Sequence, residues 1–189
     1  SVNFESHRPV VMGRNGMVSS GHPLASQAGI SILQQGGNAV DAAIATAAAL
    51  NVVEPLMSGI GGDGFSMVHW KETDRIEICN GTGAAPYAAT LDSYLPDGIP
   101  TKGILSVSVP GLLYSWLASH EKYGVLSLGQ VLAPAIELAA NGFPTSHVLS
   151  SAIASDPLLC SFPTSHAVLT REYRNTTRPY SSHALTTYA

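Results

Sequence analysis

The stretch Ala42–Val53 carries no charged side chain and is rich in alanine. Gly36-Gly37-Asn38 precedes it and Pro55 follows it, so it reads as a helix over 39–53 with apolar or small residues on nearly every side. A helix without a polar face belongs inside a protein, and small side chains let neighbouring backbones come close. The run is too short to cross a membrane. Asn38 is placed to cap this helix, and Asp41 in its first turn suits the positive end of the helix dipole. The chain must therefore build its core around this segment.

The flanking sequence supplies the other elements. Pro23–Gln35 predicts a preceding helix, with Pro23 where a missing N–H costs nothing and Leu24, Ala28 and Ile32 on one face. Gly36-Gly37 stops it, since glycine easily takes the left-handed conformation. Gly64–Trp70 and Arg75–Asn80, separated by the polar turn Lys71–Asp74, read as a β-hairpin. Phe65, Met67 and His69 share one face, and Ser66, Val68 and Trp70 the other. The central helix is expected to pack on this hairpin through residues such as Ala43 and Ala47. Leu91–Lys102 is loop-like, and Ile104–Val109 alternates like a strand ending at Pro110-Gly111. Leu112–Tyr123 predicts a helix. Ser127 caps another, which Pro134 should kink or restart, and Ser146–Ser155 predicts a short one. Residues 161–189 form an irregular tail rich in Ser, Thr and Arg. No internal repeat is present, and 1–189 reads as a single, incomplete domain.

Composition excludes several function classes. Hydrophobic residues make up 45% and charged residues 12%, which argues against disorder and suggests a surface covered by further protein. A net charge of −4 gives no nucleic-acid footprint. Residues 1–8 are polar and contain no apolar signal-peptide core. With no membrane-length run, a cytoplasmic location is the favoured expectation, and no membrane partner is expected. Cys79 and Cys160 match no ligand spacing and leave a single bridge open. Asn80-Gly81-Thr82 and Asn175-Thr176-Thr177 fit the N-glycosylation pattern, which matters only in a secreted protein.

Chemistry-bearing motifs are sparse. Gly59-Ile60-Gly61-Gly62-Asp63-Gly64 fits the spacing of a dinucleotide fingerprint, but that motif needs a strand before it and a helix after it, and here the order is reversed. It reads instead as a tight turn, with glycines for positive φ and close packing. The seven histidines form no paired ligand motif, so no metal site and no cofactor are expected. No serine sits in a nucleophile elbow. Glu54 and Asp63 flank the glycine loop, and a carboxylate there could orient loop amides by hydrogen bonds.

A resemblance adds to this. Gly16-Met17-Val18-Ser19-Ser20, His22-Pro23-Leu24-Ala25-Ser26 and Gly36-Gly37-Asn38-Ala39-Val40-Asp41-Ala42-Ala43 read like the opening of γ-glutamyltransferases. So do Val53-Glu54-Pro55, Ser58-Gly59-Ile60-Gly61-Gly62, Val109-Pro110-Gly111 and Ala133-Pro134-Ala135-Ile136-Glu137-Leu138-Ala139, in matching order. Region 16–155 thus resembles the N-terminal part of a γ-glutamyltransferase large subunit. The resemblance implies an α/β (α+β) fold, as part of the αββα sandwich of N-terminal-nucleophile hydrolases. It implies a glutathione hydrolase-like enzyme, an amidohydrolase and acyltransferase made as a self-processing precursor. The partner would be a small subunit carrying the N-terminal threonine nucleophile, and the substrate a small-molecule amide.

Two departures shape the expectation. Family members read the substrate α-carboxylate with an arginine in the loop after the hairpin. Here that loop is Asn80-Gly81-Thr82-Gly83-Ala84-Ala85-Pro86, and Thr82 takes the arginine's place. Thr82 is the substrate-binding candidate, and the loop is closer to the acylase and oxamate-amidohydrolase branch. Second, precursors of this family run much longer and the nucleophile follows well after the region seen here, so no catalytic residue is assigned within this chain; Thr186 and Thr187 faintly echo a small-subunit start and are not taken as nucleophiles. The alternative is a truncated, non-catalytic protein that keeps the fold as an interaction module.

Overall fold

The computed structural model describes residues 10–169 together with 185 and 186. Two helices, α1 (Pro23–Gln34) and α2 (Ala39–Val53), pack along each other and form the heart of the molecule. His22 caps α1, its Nδ1 accepting from Leu24 N at 3.2 Å. Gly36, at φ 93°, turns the chain in the left-handed conformation that only glycine takes cheaply. The buried face of α1 is Ala25, Ala28, Gly29 and Ile32; Leu24 is only half-buried, so the stripe lies one residue round from the sequence reading.

Nine of the fifteen residues of α2 are buried, as its lack of a polar face demands. On one side it meets α1 so closely that a β-carbon on Gly29 would collide with Thr46 Oγ1 and the Ala42 carbonyl. Elsewhere it meets α4 (Leu128–Asn141) through Val131 and Ala135, which are buried in the same cluster as Ile44, Ala45, Ala48 and Ala49. This explains why α4 continues through Pro134 as one helix and does not restart there. The residues on either side of the lost backbone bond are packed against the core, and a capping box between Ser127 and Gln130 anchors the start.

The N-terminus of α2 holds the most connected polar group. Asp41 is fully buried. Its carboxylate accepts from Asn38 N at 3.1 Å, Val125 N at 3.1 Å and Leu126 N at 3.3 Å. Asn38 in turn accepts from the amides of Val40 and Asp41 and donates through Nδ2 to Tyr123 O at 2.6 Å. The capping box therefore also fastens the turn between α3 (Leu112–Tyr123) and α4.

The hairpin is antiparallel, β1 (Phe65–Trp70) with β2 (Arg75–Asn80), in the register Met67 to Ile78 and His69 to Ile76. One face is laid against α3: Trp70 stacks on Tyr123 with ring centroids 4.9 Å apart, and Lys122 reaches Glu77 at 2.6 Å. The other face is bare. Phe65, Met67, Ile76 and Ile78 are 73%, 70%, 62% and 66% exposed. The expected close packing of α2 on the hairpin is absent: Ala43 is exposed, and a cleft of about 280 Å³ separates the two. The hairpin rests on α3 instead because the bulky side chains of its inner face, Val68 and Trp70, meet that helix.

Further departures lie downstream. The expected strand Ile104–Val109 is a 3-10 turn at Ile104–Ser106 followed by extended chain, because no partner strand among the described residues takes its backbone groups. Lys102 spans this long segment to Asp156 at 2.8 Å and holds that carboxyl below its ordinary value. The helix expected at Ser146–Ser155 is α5 (His147–Ser155), with Ser146 as its cap. In the tail read as irregular, Pro163–Leu169 forms α6, started by the proline at its first position, and β4 (Leu185–Thr186) pairs with β3 (Phe143–Pro144). Asn175-Thr176-Thr177 and Thr187 lie outside the described residues.

Two stability predictions follow from this packing. Gly29→Ala should cost about 1–3 kcal/mol in a denaturant melt, whereas Ala43→Leu should cost less because the cleft can take the added methylenes. Asp41→Ala strips three amides of their acceptor and should cost about 2–4 kcal/mol, with Asp41→Asn intermediate.

Candidate functional site

Three glycine-bearing segments converge at the N-terminus of α3. Gly62 O accepts from both Gly111 N and Leu112 N at 3.1 Å. Gly64 O accepts from Gly81 N at 2.8 Å. These bonds gather the 59–64 turn, the loop after β2 and the Val109-Pro110-Gly111 approach to α3 into one junction. Close approach is what the glycines supply. A β-carbon on Gly81 would lie 2.6 Å from Ser115 Cβ, and one on Gly64 2.6 Å from Leu112 Cδ1. One on Gly83 would overlap the Val109 carbonyl, and one on Gly111 the Gly81 carbonyl. None of these glycines has positive φ, so the turn-conformation half of the sequence reading does not hold here. Close contact, not backbone conformation, excludes larger residues: with backbone at Gly83 and Gly111, with the Leu112 side chain at Gly64, and with Ser115 and the Gly64 carbonyl at Gly81.

Thr82 sits on this platform, exposed. Its neighbours Gly81 and Gly83 are pinned by the contacts just described, so the loop cannot move freely about it. Its backbone N–H donates to Asn80 Oδ1 at 2.9 Å, and its hydroxyl reaches the same oxygen. Sequence reasoning named Thr82 but missed Asn80 as its partner. An asparagine two residues before a polar residue in a glycine loop is the signature of such a side-chain turn.

The two acids of the sequence reading do not act as expected. Asp63 is exposed, and neither carboxylate makes a hydrogen bond among the described residues. Glu54 orients the following turn through its backbone carbonyl, which accepts from Met57 N and Ser58 N at 3.0 and 3.1 Å. Its carboxylate lies over Gly21, where a β-carbon would be 3.1 Å from Oε2. No group of three His, Cys, Asp or Glu that could hold a metal occurs among the described residues. No helix of the described residues is long and apolar enough to cross a membrane.

A family model described as Gamma-glutamyltranspeptidase matches residues 25–189. The chain belongs to the gamma-glutamyltranspeptidase family. It is 43% identical over 160 residues to a glutathione hydrolase proenzyme of Bacillus subtilis (strain 168), covering 80% of this chain and 27% of that protein. It is 40% identical over 166 residues to the acylase ACY 1 proenzyme of Pseudomonas sp. (strain V22), covering 82% of this chain and 30% of that one. Among solved structures, cephalosporin acylase from Bacillus halodurans superposes with a TM-score of 0.76 at 41% identity, covering 86% of this chain and 31% of that one. The chain thus spans about a third or less of the length of these family members. Its hairpin and helices are one portion of their mixed helix-and-sheet fold.

Because the junction is built from backbone contact, Gly83→Ala should push the 80–86 loop away from Val109. Amide hydrogen exchange at Gly81 and Leu112 should then rise at least about tenfold, the factor that 1.4 kcal/mol of lost protection represents. Unchanged protection at both amides would show that the loop is not held by this contact.

Proposed function

We propose that this chain is the N-terminal part of the large subunit of a γ-glutamyltransferase-type amidohydrolase that hydrolyses small acyl amides or transfers their acyl group. The observation that carries this reading is the glycine junction, which presents the Thr82 loop within a chain of this family. Two of the relatives are named as proenzymes, which supports a precursor cut into two chains. The companion chain would carry an N-terminal threonine. Its hydroxyl oxygen attacks the amide carbonyl while its own α-amino group, or a water, takes the hydroxyl proton. The C–N bond breaks, the amine leaves with that proton, and an acyl-enzyme remains. Water releases the acid, or an acceptor amine takes the acyl group.

In this reading the present chain supplies the fold against which the companion packs and the loop that reads the acyl group. The bare apolar face of the hairpin is the surface the rest of the sandwich would cover. Thr82 stands where a carboxylate-reading arginine is expected, and a neutral hydroxyl cannot form the bidentate, charge-assisted pair that arginine does. This favours acyl groups other than γ-glutamyl and the acylase side of the family.

The test is substitution in the processed two-subunit enzyme. Thr82→Arg should improve kcat/KM for γ-glutamyl-anilide relative to an uncharged acyl anilide by roughly 1.5–3 kcal/mol, the worth of a hydrogen bond to a charged group. An equal change on both substrates would remove the loop from the acyl group.

A further inference from the structure

The Asn80–Thr82 contact fixes more than a turn. A backbone N–H can only donate, so the bond from Thr82 N places the carbonyl oxygen of the Asn80 amide on this side. The Thr82 hydroxyl reaches that same oxygen. A carbonyl oxygen has no proton to give, so the shared proton is the threonine's. The one proton of the hydroxyl is thereby held inside the loop, and Oγ1 can offer only lone pairs outward. Asn80 Nδ2 remains an exposed neutral donor with no partner among the described residues. The neighbouring turn adds Asp63, an exposed acid set between the two anchored glycines Gly62 and Gly64.

We infer that Asn80 is a positioning residue that makes Thr82 a hydrogen-bond acceptor toward the acyl group, so that the site selects acyl groups bearing an N–H donor there and rejects a carboxylate. The inference rests on the reading that the Thr82 loop faces the acyl group. An ammonium or amide N–H meets the Oγ1 lone pairs directly. A carboxylate oxygen meets lone pairs with lone pairs. Sites that leave a polar group facing the wrong partner discriminate strongly, because the mismatch is a lost bond and an uncompensated desolvation together.

The experiment is steady-state kinetics of the processed two-subunit enzyme on three p-nitroanilides: γ-aminobutyryl, which carries the ammonium alone, glutaryl, which carries the carboxylate alone, and butyryl, which carries neither. The unsubstituted enzyme should favour γ-aminobutyryl over glutaryl by about tenfold or more in kcat/KM, chiefly through KM. Asn80→Ala frees the hydroxyl to rotate and donate, and should bring that ratio toward one. Asn80→Asp, which keeps an acceptor for the hydroxyl, should retain the preference. Thr82→Val should lower γ-aminobutyryl use to the level of butyryl. A purely structural effect would lower all three substrates together, and that outcome overturns the inference. So does an unsubstituted enzyme that prefers glutaryl. If Asn80→Ala leaves the ratio unchanged while Thr82→Arg raises glutaryl use, the hydroxyl assignment is wrong but the placement of the loop stands. If Thr82→Arg also leaves every ratio unchanged, or none of the three amides is turned over, the placement itself fails.

Discussion

The buried carboxylate of Asp41 is the contact on which the arrangement of helices depends. It does three things from one position. It completes the cap of α2, it lies at the end of the helix where negative charge is favoured, and it takes the amides of Val125 and Leu126 from the turn between α3 and α4. A buried carboxylate is costly unless its lone pairs are filled. Here backbone N–H groups from two segments far apart in sequence fill them. The side chain of His120 completes the surround, with Nε2 at 2.8 Å from Leu126 O and 3.9 Å from Asp41 Oδ1. Through this knot the position of α3 is set relative to α2, and α3 in turn carries both the hairpin and the glycine junction.

The two faces of the hairpin show what that arrangement leaves undone. The face toward α3 is a mixed layer of Val68, Trp70, Cys79 and Glu77, with Tyr123 and Lys122 above it. The face away from α3 is open and largely apolar, with Phe65, Met67, Ile76 and Ile78 between His69 and Asn80. A two-stranded sheet with one bare apolar face is not a stable unit by itself. The low proportion of charged residues in the chain has its physical origin in such surface. The family members that the chain matches are several times longer, so there is ample polypeptide in them to cover an equivalent face.

The glycine junction links the fold to the proposed chemistry. Three segments pack closely there, backbone against backbone at Gly83 and Gly111 and backbone against the Leu112 and Ser115 side chains at Gly64 and Gly81, a dense contact with little room to adjust. The close approach of the glycines and the bonds from Thr82 to the Asn80 side chain together hold the short Asn80–Thr82 loop in place. A loop positioned by a rigid scaffold is where specificity residues are commonly found.

Much of this was legible in the sequence. The alanine-rich run between Gly37 and Pro55 required a buried central helix, Asn38 and Ser127 marked helix starts, and the Lys71–Asp74 turn between alternating runs marked the hairpin. These features are local: propensity, period and capping act over a few residues. Thr82 was singled out from the place of its loop in an ordered set of motifs, and its role remains the proposal made above. What the sequence could not decide was which surfaces meet. Ala43 and Ala45 are alike in sequence, yet one borders an open cleft and the other is fully buried. Ile104–Val109 has the pattern of a strand but has no partner strand among the described residues, and pairing is a property of two segments. The glycines of 59–64 announced a need for something only glycine allows. Only the tertiary structure decided that at Gly64 this was the approach of the Leu112 side chain rather than a left-handed turn, because Leu112 arrives from far along the chain.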